Sequence, residues 1–273
     1  MRRHWKWIVG AIAVVIALAL VAPFVYIHLI EGPAPAKLVL PKVSPSNTST
    51  TTAAAASTAT AGVAGTYHVS SGSEAGYRVT EILVGQHTTA VGRTTKIWGT
   101  ATITGSAVTA ASFTVNMASV KSDQSGRNAQ FDGRIMDVTR YPVATLDLTE
   151  PIELGSVPTV GTKANYTATG RLTMHGVTRQ ITFAVSAERT TDGIYVLADI
   201  HVVFADWDIA NPSTGGFVTT SSTGTLEVLV HLTKGSGNSP DTATSSGSTG
   251  AGVAPTQVTV PSTTVPSLSV PSS

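Results

Sequence analysis

The stretch from Tyr166 to Ala187 constrains the fold more than any other part of the chain. On its first arm the even positions Tyr166, Ala168, Leu172 and Met174 are apolar, and on its second the odd positions Ile181, Phe183, Val185 and Ala187 are; threonines and charges fill the other face. This is the period of a β-hairpin with one buried face. His175-Gly176 sits between the arms, where a tight turn demands the positive φ that glycine adopts without strain.

The same alternation recurs on both sides. Tyr77 and Val79 begin one segment; Ile97, Ala101 and Ile103 belong to a second; Phe113, Val115 and Met117 share a face of a third; Leu146 and Leu148 share a face of a fourth. After the hairpin come Ile194, Val196, Ala198, Ile200, Val202 and Phe204, then Leu226, Val228, Val230 and Leu232. The pattern predicts an all-β domain over residues 66–234 with about eight antiparallel strands. Its one interruption, Asp123 to Tyr141, places Phe131, Ile135 and Met136 among charges, reads as a short helical insertion, and stops at Tyr141-Pro142. So many short strands must close into a barrel or pack as two sheets, because open edges invite aggregation.

The flanks are of different character. Residues 1–7 carry Arg2, Arg3 and Lys6, and residues 8–30 contain no Asp, Glu, Lys or Arg. At ~1.5 Å per residue that run covers roughly 34 Å, enough to cross a bilayer. The expectation is one N-terminal transmembrane helix acting as a signal-anchor, with residues 1–7 cytoplasmic, Trp5, Trp7 and Tyr26 at the interfaces, and everything downstream outside the cell membrane. A cleaved signal peptide is the competing reading. Residues 31–65 and 235–273 are rich in Pro, Ser, Thr, Ala and Gly and too poor in apolar surface to offset their ordering entropy, so both are expected to be disordered, as linker and tail. Asn47-Thr48-Ser49 and Asn165-Tyr166-Thr167 match the N-glycosylation triplet.

Composition excludes several functions. Charged residues make up 12% of the chain and the net charge is +1, so no basic field exists to hold nucleic acid. The chain has no cysteine, which removes disulfides, thiol catalysis and thiolate metal sites. His68, His87, His175, His201 and His231 are dispersed and none has metal-ligand spacing. Asp206 and Asp208, which flank Trp207, read as turn-capping acids ahead of a paired-carboxylate site, and Arg127, Arg134 and Arg140 as ion-pair partners of Asp132 or Asp137 ahead of a contact to a phosphate or quinone oxygen at the barrel mouth. With no nucleophile elbow, P-loop or dinucleotide fingerprint, no catalytic residue, metal or cofactor is expected.

Four stretches resemble the YceI-like family, the polyisoprenoid-binding barrels of bacterial cell envelopes. Gly170-Arg-Leu-Thr-Met-His-Gly-Val-Thr-Arg-Gln-Ile-Thr-Phe is similar to the family's G-x-L-T-x-x-G-V-T-x-x-V-x-F hairpin. The run from Asn128 to Leu146, through Phe131-Asp132 and Tyr141-Pro142, resembles the family's F-D-x-x-x-Y-P segment. Tyr77-Arg-Val-Thr-Glu and Phe204-Ala-Asp-Trp-Asp-Ile resemble its first strand and a late corner. Tyr67 stands where the family usually begins with Trp, and Gly133-Arg134-Ile135-Met136 replaces part of its aromatic-acidic run.

The resemblance implies an eight-stranded lipocalin-like barrel and a ligand such as an isoprenoid quinone, a polyprenol or another long-chain lipid. Its expected contacts are Phe113, Val115 and Met117 on one strand and Leu146 and Leu148 on the next. Leu172, Met174, Phe183 and Val185 follow from the hairpin, and Val196, Ala198, Phe204 and Trp207 from the strand and corner after it. A barrel of this size either fills its interior with side chains or holds one slender ligand, and small inward residues such as Ala101, Ala168 and Ala198 leave room. A solid-cored barrel serving as a surface interaction module is the rival reading. The expected partners are a lipid and the membrane reached through the N-terminal helix, with a homodimer left open.

Overall fold

In the computed structural model, which describes residues 2–25, 34–41, 62–83, 85–213 and 218–235, the central hairpin is formed by β8 (Lys163–Met174) and β9 (Val177–Arg189). They pair without a break from Lys163↔Glu188 to Met174↔Val177. His175 and Gly176 have φ of 52° and 79°, the two consecutive positive values of a type I′ turn. Gly176 is also held by space, since a Cβ there would collide with the ring of Tyr141, which itself packs edge-on against His175 with centroids 4.8 Å apart. Gly176→Ala should therefore cost at least the ~1–2 kcal/mol of a left-handed non-glycine residue. A urea midpoint lower than wild type at unchanged slope would show it.

The other strands are β1 (Gly65–Val69), β2 (Glu74–Leu83), β3 (Gln86–Thr94), β4 (Ile97–Thr104), β5 (Ala107–Asn116), β6 (Val143–Leu148), β7 (Ile152–Glu153), β10 (Ile194–Val203), β11 (Val218–Thr220) and β12 (Thr223–Thr233). Antiparallel pairing runs β1-β4-β5-β6-β8-β9-β10-β12 and returns from β12 to β1, a closed ring of eight. Above this ring β2 continues along the same edge of β12 that β1 uses, while β3 pairs with β2 as β4 pairs with β1. Each of these two pairs of strands thus forms one long, bent stave. β11 extends the end of β2, and β7 the start of β5. Closure leaves the ring of eight strands no free edge, while β3, among the described residues, is joined on its far side only through the bridge Arg93↔Lys121.

Between β5 and β6 the short helix α2 (Ser125–Gln130) runs into a single π-helical turn, Phe131–Ile135, and covers one end of the barrel, here called the upper end. Phe131 and Met136 are buried beneath it, and Phe131 stacks on Tyr77 with centroids 5.1 Å apart and planes 14° from parallel. At the lower end Val63, Tyr67, Val69, Ile103 and Leu232 form a second buried cluster. Lys234 donates to the carbonyls of Gly62 and Ala64, and the Tyr67 hydroxyl donates to that of Val63 at 2.8 Å.

The N-terminal helix α1 is Arg2–Val25, so it begins ahead of the expected 8–30 span, and residues 26–33 lie outside the described residues. Among the described residues no helix is long and apolar enough to cross a membrane, and the expected transmembrane helix is not supported by the fold. Part of the segment expected to be disordered also differs. Residues 34–41 lie along the outer wall, where Arg78 donates to the Pro35 carbonyl at 2.7 Å, Arg93 to that of Ala36 at 2.6 Å, and Leu38 is buried. Beneath this strap Glu227, with no exposed side-chain surface, accepts from Arg78 Nε and Arg93 at 2.6 Å each.

Candidate functional site

The barrel is hollow. Its inward apolar side chains are packed at the two ends, yet in the middle Phe113, Leu146, Leu148, Phe183 and Val196 remain half-buried although they point away from bulk solvent. Their free surface faces two chambers, an upper one of about 170 Å³ and a lower one of about 160 Å³. Phe113, Leu146, Ile200 and Val228 line both, so the chambers adjoin across this belt. Each is near the volume, ~150 Å³, at which an apolar cavity stays dry and takes up a benzene-sized molecule.

Strand period decides which side chains arrive there. On β5, Phe113 lines both chambers and Val115 the upper, and Met117, in the 3₁₀ turn that follows, lines the upper as well; on β6, Leu146 lines both and Leu148 the lower. From the hairpin, Leu172 and Met174 reach the upper chamber, and Phe183 and Val185 the lower; Val196 and Ala198 on β10 join the lower. Phe204 lines the upper chamber. Trp207 lines neither. The alternation stops at Val203, and the 3₁₀ turn Phe204–Trp207 steps side chains by about 120° rather than 180°. Trp207 is buried beside β8, its indole N–H directed at the Leu172 carbonyl at 3.5 Å and its own carbonyl 3.1 Å from His175 Nδ1.

Other wall residues fall outside the expected set. Tyr77, Ile200 and Val228 share the alternation and were available from it; Val63, Leu154 and Val157 floor the lower chamber from irregular segments that carry no period. Polar residues reach the wall mainly in the upper chamber, through Glu81, Arg127, Thr145 and Thr220. Arg127 pairs with Asp123 at 2.7 Å and with Glu81 at 3.5 Å, rather than with Asp132 or Asp137. Asp132 instead takes Lys121 at 2.7 Å, Arg134 bonds Gln130 and the Pro212 carbonyl, and Arg140 lies over the Tyr141 ring. Burial pushes the Tyr77 phenol up to about 12; Arg127 opposes this, and Glu81, Asp123 and Asp132 add to it. The hydroxyl is therefore a neutral group throughout the physiological range. Asp206 offers its carbonyl to Arg179, and Asp208 takes the left-handed conformation that ends its turn. Among the described residues no group of three or more His, Cys, Asp or Glu is arranged to hold a metal ion.

A family model described as the YceI-like domain matches residues 66–232. Among solved structures the chain is similar to a polyisoprenoid binding domain from Saccharophagus degradans, with 16% identity, 62% of this chain and 98% of that one covered, and a TM-score of 0.50. It is also similar to BcnA of Burkholderia cenocepacia, at 18% identity, 56% and 94% coverage and a TM-score of 0.42. The Campylobacter jejuni YCEI protein gives 15% identity, 50% and 81% coverage and a TM-score of 0.38. Likeness at these identities concerns the fold alone. No curated protein matches the chain.

Proposed function

We propose, for a chain that belongs to the YceI-like domain family, that the barrel holds the apolar chain of an isoprenoid, a quinone or polyprenol, or of a similar amphiphile, without covalent chemistry. The observation that carries this reading is the half-buried belt of inward apolar side chains around two adjoining chambers. A solid-cored interaction module would leave those side chains no free surface. The name of the similar Saccharophagus degradans domain, a polyisoprenoid binding domain, agrees with a prenyl ligand.

Energetics set the mode of action. Leaving water is worth ~0.8 kcal/mol for each buried CH₂, so a few isoprene units suffice for micromolar binding from solution. The competing reservoir is the bilayer, which is as apolar as the barrel, and the net transfer of the chain between them is near zero. The protein then acts in exchange, storage or presentation of its lipid rather than irreversible capture. Attachment to the membrane through residues 8–30, with the barrel on the extracytoplasmic side, would raise the effective concentration of both. The described side chains of α1 support an anchor: Trp7, Ile8, Ile12, Val14, Ile16 and Val21 are exposed on several sides of the helix. Retention of the full chain in the membrane pellet after alkaline carbonate washing tests it, and release to the supernatant counts against it.

Retinol, an isoprenoid alcohol that fluoresces more strongly in apolar surroundings, tests the binding itself. Titration of the full chain in detergent should saturate at one retinol per chain, with squalene competing. No saturable signal would count against the proposal. Phe113 stands at the belt between the chambers, so Phe113→Ala should open space between them and shift preference toward longer prenyl chains, by roughly tenfold for the ~1.4 kcal/mol that one or two extra buried methylenes supply. Equal relative affinities for short and long prenols in wild type and variant would refute that.

A further inference from the structure

Resting on the lipid-binding reading, a second question is by which end a lipid reaches the chambers. The lower end is sealed by bonds that belong to the wall itself. The Tyr67 hydroxyl donates to the Val63 carbonyl at 2.8 Å, Lys234 to those of Gly62 and Ala64, and Arg189 to that of Pro158 at 3.0 Å. The Leu154 N–H bonds the Ser106 carbonyl at 2.8 Å and the Gly161 N–H that of Arg189 at 2.9 Å, so the floor segments are tied to the β4–β5 turn and to β9. Opening this end would pull strands apart. The upper end is closed differently, by a segment, residues 122–138, that lies outside the ring of strands.

The feet of that segment are fixed. Arg93 and Lys121 exchange two backbone hydrogen bonds, the Met117 N–H bonds the Pro142 carbonyl at 2.9 Å, and Tyr141 packs on the His175-Gly176 turn. What lies between the feet is held lightly. α2 buries none of its 6 residues, and its N-terminus has no side-chain cap. The Lys121–Asp132 pair lies at the surface, where an ion pair contributes little. Regular geometry gives way twice, in the π-helical turn Phe131–Ile135 and at Asp137, a non-glycine residue with φ of 42°, and such departures recur at functional and switching segments. The segment is seated on the upper end by Phe131 and Met136, by Arg127 to Glu81 at 3.5 Å, and by Arg134, which donates to the Pro212 carbonyl at 2.9 Å. Local opening needs least free energy where little apolar surface is buried and no strand has to unpair. We propose that residues 122–138 are the gate of the barrel: the lipid enters and leaves the upper chamber as this segment lifts on its feet, and the lower end stays shut. Phe131, Ile135 and Met136 line the upper chamber from the gate, so lifting it unroofs the chamber. Exposing these three side chains to water is unfavourable, which returns the gate to its seat.

The chain has no cysteine, so introduced thiols are the only ones present. Arg134→Cys with Pro212→Cys places two of them across the contact between gate and rim, and a bismaleimide with a disulfide in its spacer ties the gate down until reductant cuts it. Gly62→Cys with Lys234→Cys ties the floor in the same way. Uptake and release of retinol by the full chain in detergent are followed by stopped-flow fluorescence. The tied gate should slow both rates by roughly tenfold or more, with reductant restoring them, whereas the tied floor should leave them as they are in its untied form. Arg134→Ala removes the bond to Pro212 and lines neither chamber. It should raise both rates together, by roughly threefold, at an unchanged Kd, because a gate alters the barrier and not the bound state. Undiminished rates with the gate tied, slowed rates with the floor tied, or wild-type rates or an altered Kd in Arg134→Ala would overturn the gate and leave the apolar site intact. Retinol that does not bind the wild-type chain would overturn the lipid reading, and this inference with it.

Discussion

Ala198→Trp should abolish retinol binding and leave the barrel folded. Ala198 lies on β10 opposite Val185 and Val228, with its methyl directed at the lower chamber. In a close-packed interior an indole at this position would force neighbours off their rotamers and cost ~1–3 kcal/mol or more. Here about 160 Å³ of space receives it. The expected result is a loss of binding of at least tenfold, a native near-ultraviolet circular dichroism spectrum and a melting temperature within a few degrees of wild type. Ala168→Trp, which enters the same chamber from β8, should behave alike. Cooperative unfolding at a far lower temperature in both variants would mean that the interior is full.

The second large effect lies on the outside of the wall. Glu227 has no exposed side-chain surface, and Arg78 and Arg93 each bond it at 2.6 Å while also holding the carbonyls of Pro35 and Ala36. Removing one member of a buried ion cluster strands the others, at a typical cost of ~3–5 kcal/mol. Glu227→Gln should accordingly lower the melting temperature by roughly 10 °C, at ~2–4 °C per kcal/mol for a domain of this size. Amide exchange at residues 36–38 should speed up as the strap loosens. Replacing all three charged residues with methionine should recover most of the loss, since no unpaired charge is then buried.

The same triad gives the barrel an acid sensitivity of known sign. Burial alone would push the Glu227 carboxyl up, but the hydrogen bonds and charges of Arg78 and Arg93 outweigh it and hold the carboxyl below its usual value. The unfolded chain therefore binds a proton at Glu227 more readily than the folded one. Its contribution is fully present above the ordinary carboxylate range and is lost as pH falls through the depressed folded value. Wild type should lose stability steeply in that acid window, and Glu227→Gln should show a shallower slope there. Parallel slopes would remove Glu227 as the cause.

Much of the wall was legible in the sequence because a strand's period assigns faces without ambiguity. Phe113, Leu146, Phe183 and Ala198 were placed inside by alternation, and Gly176 marked its turn because two consecutive positive φ angles favour glycine at the second. Trp207 was expected at the ligand although Asp206 and Asp208 beside it already marked a turn; the alternation ends at Val203, and the 3₁₀ step carries the indole off the chamber wall. Arg127 was assigned to Asp132 or Asp137, although Asp123, four residues before it, is the nearer acid and its partner at 2.7 Å; Glu81, its other partner, from β2, becomes a neighbour only when the barrel closes. The strap at 34–41 reads as linker by composition. Its order comes from guanidinium groups that are distant in the chain. Hollowness itself is not periodic, and the alternation of a plugged barrel and an empty one can be the same.

The most direct test of the account is native mass spectrometry of the full chain, purified in detergent from a bacterial host. The predicted spectrum carries one non-covalent adduct per chain, of a mass fitting an isoprenoid or similar long-chain lipid and released at high collision energy. That adduct should be missing from Ala198→Trp prepared in parallel. The bare polypeptide mass in every charge state of the wild type, recorded where a control lipid carrier keeps its ligand, would contradict the claim that the barrel holds a lipid.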